Sequence, residues 1–134
     1  MTQVIDKNGF IADIWADQLI PTLSLYDGES AITLGIDEDP FDLEEHFNTL
    51  TLIVIPFASS ADGRGFSLAA KLRDLGYTGH LRAQGHILVD QFRMAMRSGF
   101  TDVAISDAQA ARNPEHQWTS VALNDSYQDR LLSA

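Results

Sequence analysis

The chain has 134 residues, of which 45% are hydrophobic, a formal net charge of −10 and a pI near 4.5. That is the size of one domain, and a chain this long buries roughly two-thirds of its unfolded surface. With no cysteine it can hold no disulfide, thiolate nucleophile or cysteine-ligated metal, and its negative charge makes nucleic acid a poor partner.

Val4 to Ile11 reads as a small hairpin, turning at Asn8-Gly9 where positive φ is tolerated. Met1-Thr2-Gln3 opens a polar stretch without a basic, apolar leader, which argues against a signal peptide. Residues 15–30 look irregular, punctuated by Pro21 and Asp27-Gly28, and Ala31 to Ile36 is a short apolar strand. Asp39 can then cap a helix with Pro40 in its first turn, and Leu43, Phe47 and Leu50 recur at helical spacing toward the core. Leu52-Ile53-Val54-Ile55 is apolar without alternation, as in a strand covered on both faces.

A helix over 66–75 follows, with Leu68, Ala69, Leu72 and Leu75 inward and Gly76 as its stop. Leu81 to Gln84 is the next strand. Ile87 to Ser98 reads as a helix closed by Gly99, with Leu88, Phe92, Ala95 and Met96 inward and Met94 packed in the same cluster. Asp102 to Ile105 is a fourth strand, and 107–112 a short helix stopped before Pro114. Trp118 to Leu123 reads as a strand, and Asp125 to Ala134 as a loosely held tail. No run approaches the roughly 20 apolar residues that span a bilayer.

Strands alternating with helices predict an α/β fold of about four parallel βα units behind an N-terminal hairpin. The arrangement is either an open flavodoxin-like sheet or one resembling half of a (β/α)8 barrel. Half a barrel would leave strand edges open and invite a homodimer. One domain over 1–134 is expected: a hairpin and irregular lead-in to residue 30, a βα core over 31–112 and a variable tail over 113–134.

In parallel units the loops after successive strands open on one edge, where open α/β sheets bind ligands. The first such loop carries Asp62-Gly63-Arg64-Gly65, and the second Arg82-Ala83-Gln84-Gly85-His86. Gly63 and Gly65 permit unusual backbone conformations, and Arg64 offers a bidentate grip on a sulfate, sulfite, phosphate or carboxylate. The simpler reading is that Asp62 caps the helix and pairs with Arg64. Arg82 lies inside a strand and must find a partner: Asp62, Asp90, or, beside Arg64, a bound anion. His86 is a candidate acid or base near neutral pH, or a cap at a helix start. Asp90 and Gln91 occupy the next helix's first turn, where Asp90 can orient Arg82 or His86. As a site, Asp62 and His86 are the catalytic candidates. Gly63, Arg64, Gly65, Arg82, Gln84, Asp90 and Gln91 are the anion-binding ones, and the reading needs Asp62, Arg64, Arg82 and His86 to meet at one rim.

His46, His80 and His116 show no metal spacing, so no metal is expected. No dinucleotide fingerprint is present, which leaves a cofactor undefined and flavin mononucleotide open. Residues 27–45 hold Asp27, Glu29, Asp37, Glu38, Asp39, Asp42, Glu44 and Glu45 without a Lys or Arg. This is a solvated face in the simpler reading and a docking surface for a basic protein in the sharper one.

Asp62-Gly63-Arg64-Gly65-Phe66-Ser67, Leu72 to Gly79, Leu81-Arg82-Ala83-Gln84-Gly85, Asp90-Gln91-Phe92 and Ser98-Gly99-Phe100 together resemble the bacterial family catalogued as domain of unknown function 934. The resemblance spans roughly residues 50–105. Its members are commonly encoded beside assimilatory sulfite reductase and cysteine-biosynthesis genes, and some are labelled oxidoreductases. The resemblance therefore implies a bacterial, cytoplasmic accessory protein of sulfite reduction, delivering electrons or docking to sulfite reductase. The alternative is a small oxyanion-binding enzyme or sensor using Arg64 and Arg82 with Asp62 or His86. Members often carry Pro-Lys-Phe where this chain has Pro56-Phe57-Ala58, Asp at the place of His86 and Cys at the place of Ser98. A family-wide catalytic lysine, acid or thiol there does not carry over.

Overall fold

A computed structural model describes residues 2–61 and 63–121. The chain enters through an antiparallel hairpin, β1 (Thr2–Asp6) and β2 (Gly9–Ile11). The only positive φ in its turn belongs to Gly9, and the Asp6 carboxylate accepts the Asn8 N–H at 2.8 Å. Four parallel strands follow: β3 (Ala31–Thr33), β4 (Leu52–Phe57), β5 (His80–Gly85) and β6 (Asp102–Ser106). They join the hairpin in one open six-stranded sheet of order β2-β1-β6-β5-β4-β3, with β1 antiparallel to β6. The α/β class, the hairpin and the four parallel strands are those the sequence predicts.

The order of the parallel strands is sequential. Each right-handed crossover therefore steps the same way, which puts the connecting helices on one face of the sheet. They are a 3-10 helix at Pro40–His46, α1 (Arg64–Asp74), a 3-10 turn at Val89–Gln91 and α2 (Phe92–Ser98). A flavodoxin-like sheet is covered by helices on both sides; this one has the single-faced layering of the half-barrel alternative. The main core lies between sheet and helices, where Ile53, Ile55, Leu81, Ala83, Val103 and Ile105 meet Leu43, Phe66, Leu72, Phe92 and Ala95. A smaller cluster on the opposite face packs Ala31, Leu52 and Val54 against Trp15 and Ile20 of the lead-in. Both faces of β4 are covered, as its unbroken apolar run requires.

Asp39 caps its helix by accepting from the Phe41 N–H at 3.0 Å, with Pro40 next, although the helix is 3-10 rather than α. Gly76 and Gly99 end α1 and α2 as expected, both with positive φ. Three expectations need correction. Helix 87–98 is a 3-10 turn followed by α2, and Leu88 and Met94 are exposed rather than packed inward. The helix over 107–112 forms as α3 (Asp107–Arg112), capped by Ser106. Beyond Pro114, however, residues 115–121 are helical where a strand over 118–123 was expected, and Trp118 is fully buried. Residues 122–134, including the expected tail, lie outside the described residues.

The sheet edges are less open than half a barrel implies. Thr22 bridges to Thr33 on the β3 side, and the Phe10 N–H of β2 donates to the Glu115 carboxylate at 2.9 Å. Such contacts blunt edge-to-edge pairing with a second copy. Among the described residues no helix is long and apolar enough to cross a membrane.

Candidate functional site

Because β4 and β5 are parallel, the two glycine-containing loops do leave the same edge of the sheet. Gln91 ties them together. Its side-chain amide donates to the Ser60 carbonyl at 2.6 Å and accepts the Leu88 N–H at 2.9 Å, so it braces the rim. Gly85 takes φ +121°, and a Cβ there would strike the Phe57 carbonyl. This lets the His86 N–H reach that carbonyl at 3.0 Å and turns the chain out of β5. Gly85→Ala is expected to cost roughly 1–3 kcal/mol from backbone strain, with the collision in addition; urea unfolding should show a lower midpoint at unchanged m-value.

The other rim candidates divide by surroundings. A Cβ on Gly65 would enter the Phe57 ring, which explains the glycine, whereas Gly63 has neither a positive φ nor a close neighbour that demands one. Arg64 begins α1 with its side chain 60% exposed and donates to Asp37 at 2.7 Å. Gln84, His86 and Asp90 are exposed. Asp62 falls outside the described residues, so its expected contacts with Arg64 and Arg82 do too.

Arg82 is not at this rim. It sits in mid-strand on the helix-free face, 3% exposed. Its Nε and Nη2 donate to the two oxygens of Asp102 at 2.9 and 3.1 Å, and its Nη1 to Asp13 at 2.9 Å. The carboxylates that hold it are thus Asp13 and Asp102 rather than Asp90. Register explains Asp102, because Arg82 and Asp102 are direct neighbours across β5 and β6. His80 completes the network, donating from Nε2 to Asp102 at 2.6 Å, and the Trp15 ring covers both His80 and Arg82. Burial pulls against the Arg82 charge, but its bonds to Asp102 and Asp13 outweigh that and raise its pKa. Burial likewise pushes Asp13 up, yet the Arg82 hydrogen bond, the Trp15 N–H and the Arg82 and His80 charges leave it below the usual carboxylate value. This is an internal ion-pair lock in which each of these bonds runs to a carboxylate of the chain itself. Of the four residues meant to converge, Arg64 and His86 share the carboxyl edge and Arg82 lies away from it.

Two recesses adjoin. One, of about 320 Å³, lies on the helix-free face among Asp13, Trp15, Gln18, Thr33 and Arg82. The other, of about 210 Å³, opens at the carboxyl ends of β5 and β6 among Gly85, His86, Ser106, Gln109 and Arg112. Thr2, Gln84 and Ala104 line both, so the two recesses lie side by side at the end of β5. No group of three or more His, Asp or Glu is placed to hold a metal among the described residues.

Sequence reasoning passed over Asp13, Trp15, His80 and Asp102, and the rim residues Thr2, Ser106 and Arg112. An Arg inside one predicted strand and an Asp opening the next, with a parallel pairing between them, was the available sign for Asp102. A family model described as "Bacterial protein of unknown function (DUF934)" matches residues 31–133. No curated protein and no solved structure matches the chain.

Proposed function

The chain belongs to the DUF934 family, and from that premise we propose that it is a cytoplasmic accessory protein of assimilatory sulfite reduction, serving cysteine biosynthesis by docking to sulfite reductase through its acidic face. The sulfur assignment rests on the gene neighbourhood that the family resemblance brings. The docking assignment rests on one observation. The Phe41 ring, 52% exposed, stands in a shallow recess with Asp42, Glu44 and Glu45. An exposed aromatic face among carboxylates is suited to a lysine or arginine side chain, by charge and by cation–π attraction together. The Lys71 ammonium, 5.0 Å from the Phe41 ring centroid, gives an internal example of that pairing.

Several neighbouring acids are occupied internally. Glu38 accepts from the Gly35 N–H, Glu29 from the Asp27 N–H, and Asp37 from Arg64. Asp42 and Glu44 make no such bond among the described residues and are the groups available to a basic partner. The oxyanion reading built on Arg64 and Arg82 has weaker support, because both guanidiniums are already bonded to carboxylates.

Co-purification with sulfite reductase is expected at ~0.05 M salt and should be lost by ~0.5 M as screening shortens. The double variant Asp42→Asn/Glu44→Gln, which removes exposed charge only, should weaken it with melting temperature unchanged. No association at low salt, with normal sulfite reduction in a strain lacking the protein, would discard the proposal.

A further inference from the structure

We propose that the cleft at the carboxyl ends of β5 and β6 is a binding site for a small oxyanion, with Arg112 as its charged anchor and Thr2, Gln84 and His86 as hydrogen-bonding partners. The inference is independent of the docking role and uses a different surface. The other basic residues with assigned contacts are spoken for. Arg64 is bonded to Asp37, Arg82 to Asp13 and Asp102, Arg73 to the carbonyls of Tyr77, Gly79 and Gly99, and Lys71 lies over Phe41. The Arg112 side chain, at the end of α3, makes no ion pair or hydrogen bond among the described residues. The side chains of Thr2, Gln84 and His86 make none there either, and all four line the same cleft.

The cleft's composition indicates the sign of the ligand. No carboxylate among the described residues lines it, although the chain carries 19 acidic residues against nine basic ones. What faces it is a guanidinium, an imidazole, an amide and hydroxyls, a set that donates hydrogen bonds to anionic oxygens. The walls are braced rather than pliable. Ser106 Oγ accepts the Gln109 N–H at 3.1 Å, which leaves its own hydroxyl hydrogen available, and the Gln109 amide donates to the Ile87 carbonyl. Gly85 and Gln91 brace the opposite wall through the contacts already described. A volume of about 210 Å³ falls below the roughly 300–1,000 Å³ of sites for larger organic ligands. That favours a phosphate, sulfate or sulfite ion over a dinucleotide. The position, beyond the carboxyl ends of parallel strands, is the one this class of sheet uses for ligands.

The test is calorimetric titration and thermal melting of the full chain with sodium sulfite, sulfate and phosphate, each against sodium chloride at matched ionic strength. At least one oxyanion should raise the melting temperature and bind with a measurable heat, and the three arms identify which. Arg112→Ala should weaken that binding about tenfold or more while melting like the parent in chloride. Lys7→Ala, which removes a cation from the hairpin turn at the opposite end of the sheet, should bind as the parent does. Gln84→Ala provides a second variant at the cleft, with a smaller loss expected. No oxyanion effect beyond chloride, or an effect equal in the parent and Arg112→Ala, overturns the proposal.

Discussion

Replacing Arg82 with methionine is expected to destabilise the protein by about 3–5 kcal/mol, read as a fall of roughly 10–20 °C in melting temperature. The size follows from what is left behind. Asp102 is fully buried and receives both bidentate bonds of the guanidinium. Without them its charge retains, among the described residues, the His80 contact alone, in surroundings that Leu52, Val54 and Trp15 help to keep apolar. The same substitution frees Asp13, and with it the clamp holding the lead-in over the helix-free face. An exposed pair behaves differently, so Arg64→Ala, which loses Asp37, should stay within about 0.5 kcal/mol. The double variant Arg82→Met/Asp102→Leu should recover most of the loss, because removing both charges also removes the desolvation cost. If Arg82→Met alone melts within a few degrees of the parent, the internal lock contributes little.

The lock also sets a pH dependence. The folded pKa of Asp13 is depressed from 3.8, so the folded state favours the carboxylate. Its contribution is fully present above the unfolded value and is lost as pH falls through the folded one. Urea midpoints should therefore drop on acidification below about pH 4, and the part of that drop owed to Asp13 should disappear in Arg82→Met.

Features encoded within a few residues were readable from the chain. The unbroken Leu52 to Ile55 run marks a doubly covered strand, Asp39-Pro40 a helix start, and Gly76 and Gly99 two helix ends. What escaped depends on partners far apart in sequence. Arg82 needs a partner, and that much is plain from its place in a strand. Which carboxylate answers is decided by the β5–β6 register for Asp102, and by a contact spanning 69 positions for Asp13. The lead-in reads as irregular because Trp15 and Ile20 follow no strand or helix period, yet they supply the cover that the second face of β4 demands. Arg112 drew no notice because a basic residue in the last turn of a helix is already explained by the helix dipole. Only the return of β1 beside β6 brings Thr2 toward Arg112 and closes the cleft.

The same dependence on distant partners gives Trp118 its weight. Its indole is 0% exposed, meets Phe92 edge-on with ring centroids 5.4 Å apart, and donates Nε1–H to the Asn113 carbonyl at 2.8 Å. Trp118→Ala is expected to cost about 3–5 kcal/mol, the range for emptying a large aromatic site in a core. Trp118→Phe keeps much of the packing but leaves the Asn113 carbonyl without that donor, and should cost about 1–3 kcal/mol. Equilibrium unfolding in urea, followed by circular dichroism so that loss of the tryptophan does not alter the signal, separates the two. A Trp118→Ala protein within about 1 kcal/mol of the parent would mean that residues 115–121 lie on the core without sealing it. The expected loss would instead make this helix an integral wall, covering α2 on the side where Phe92 would otherwise face water.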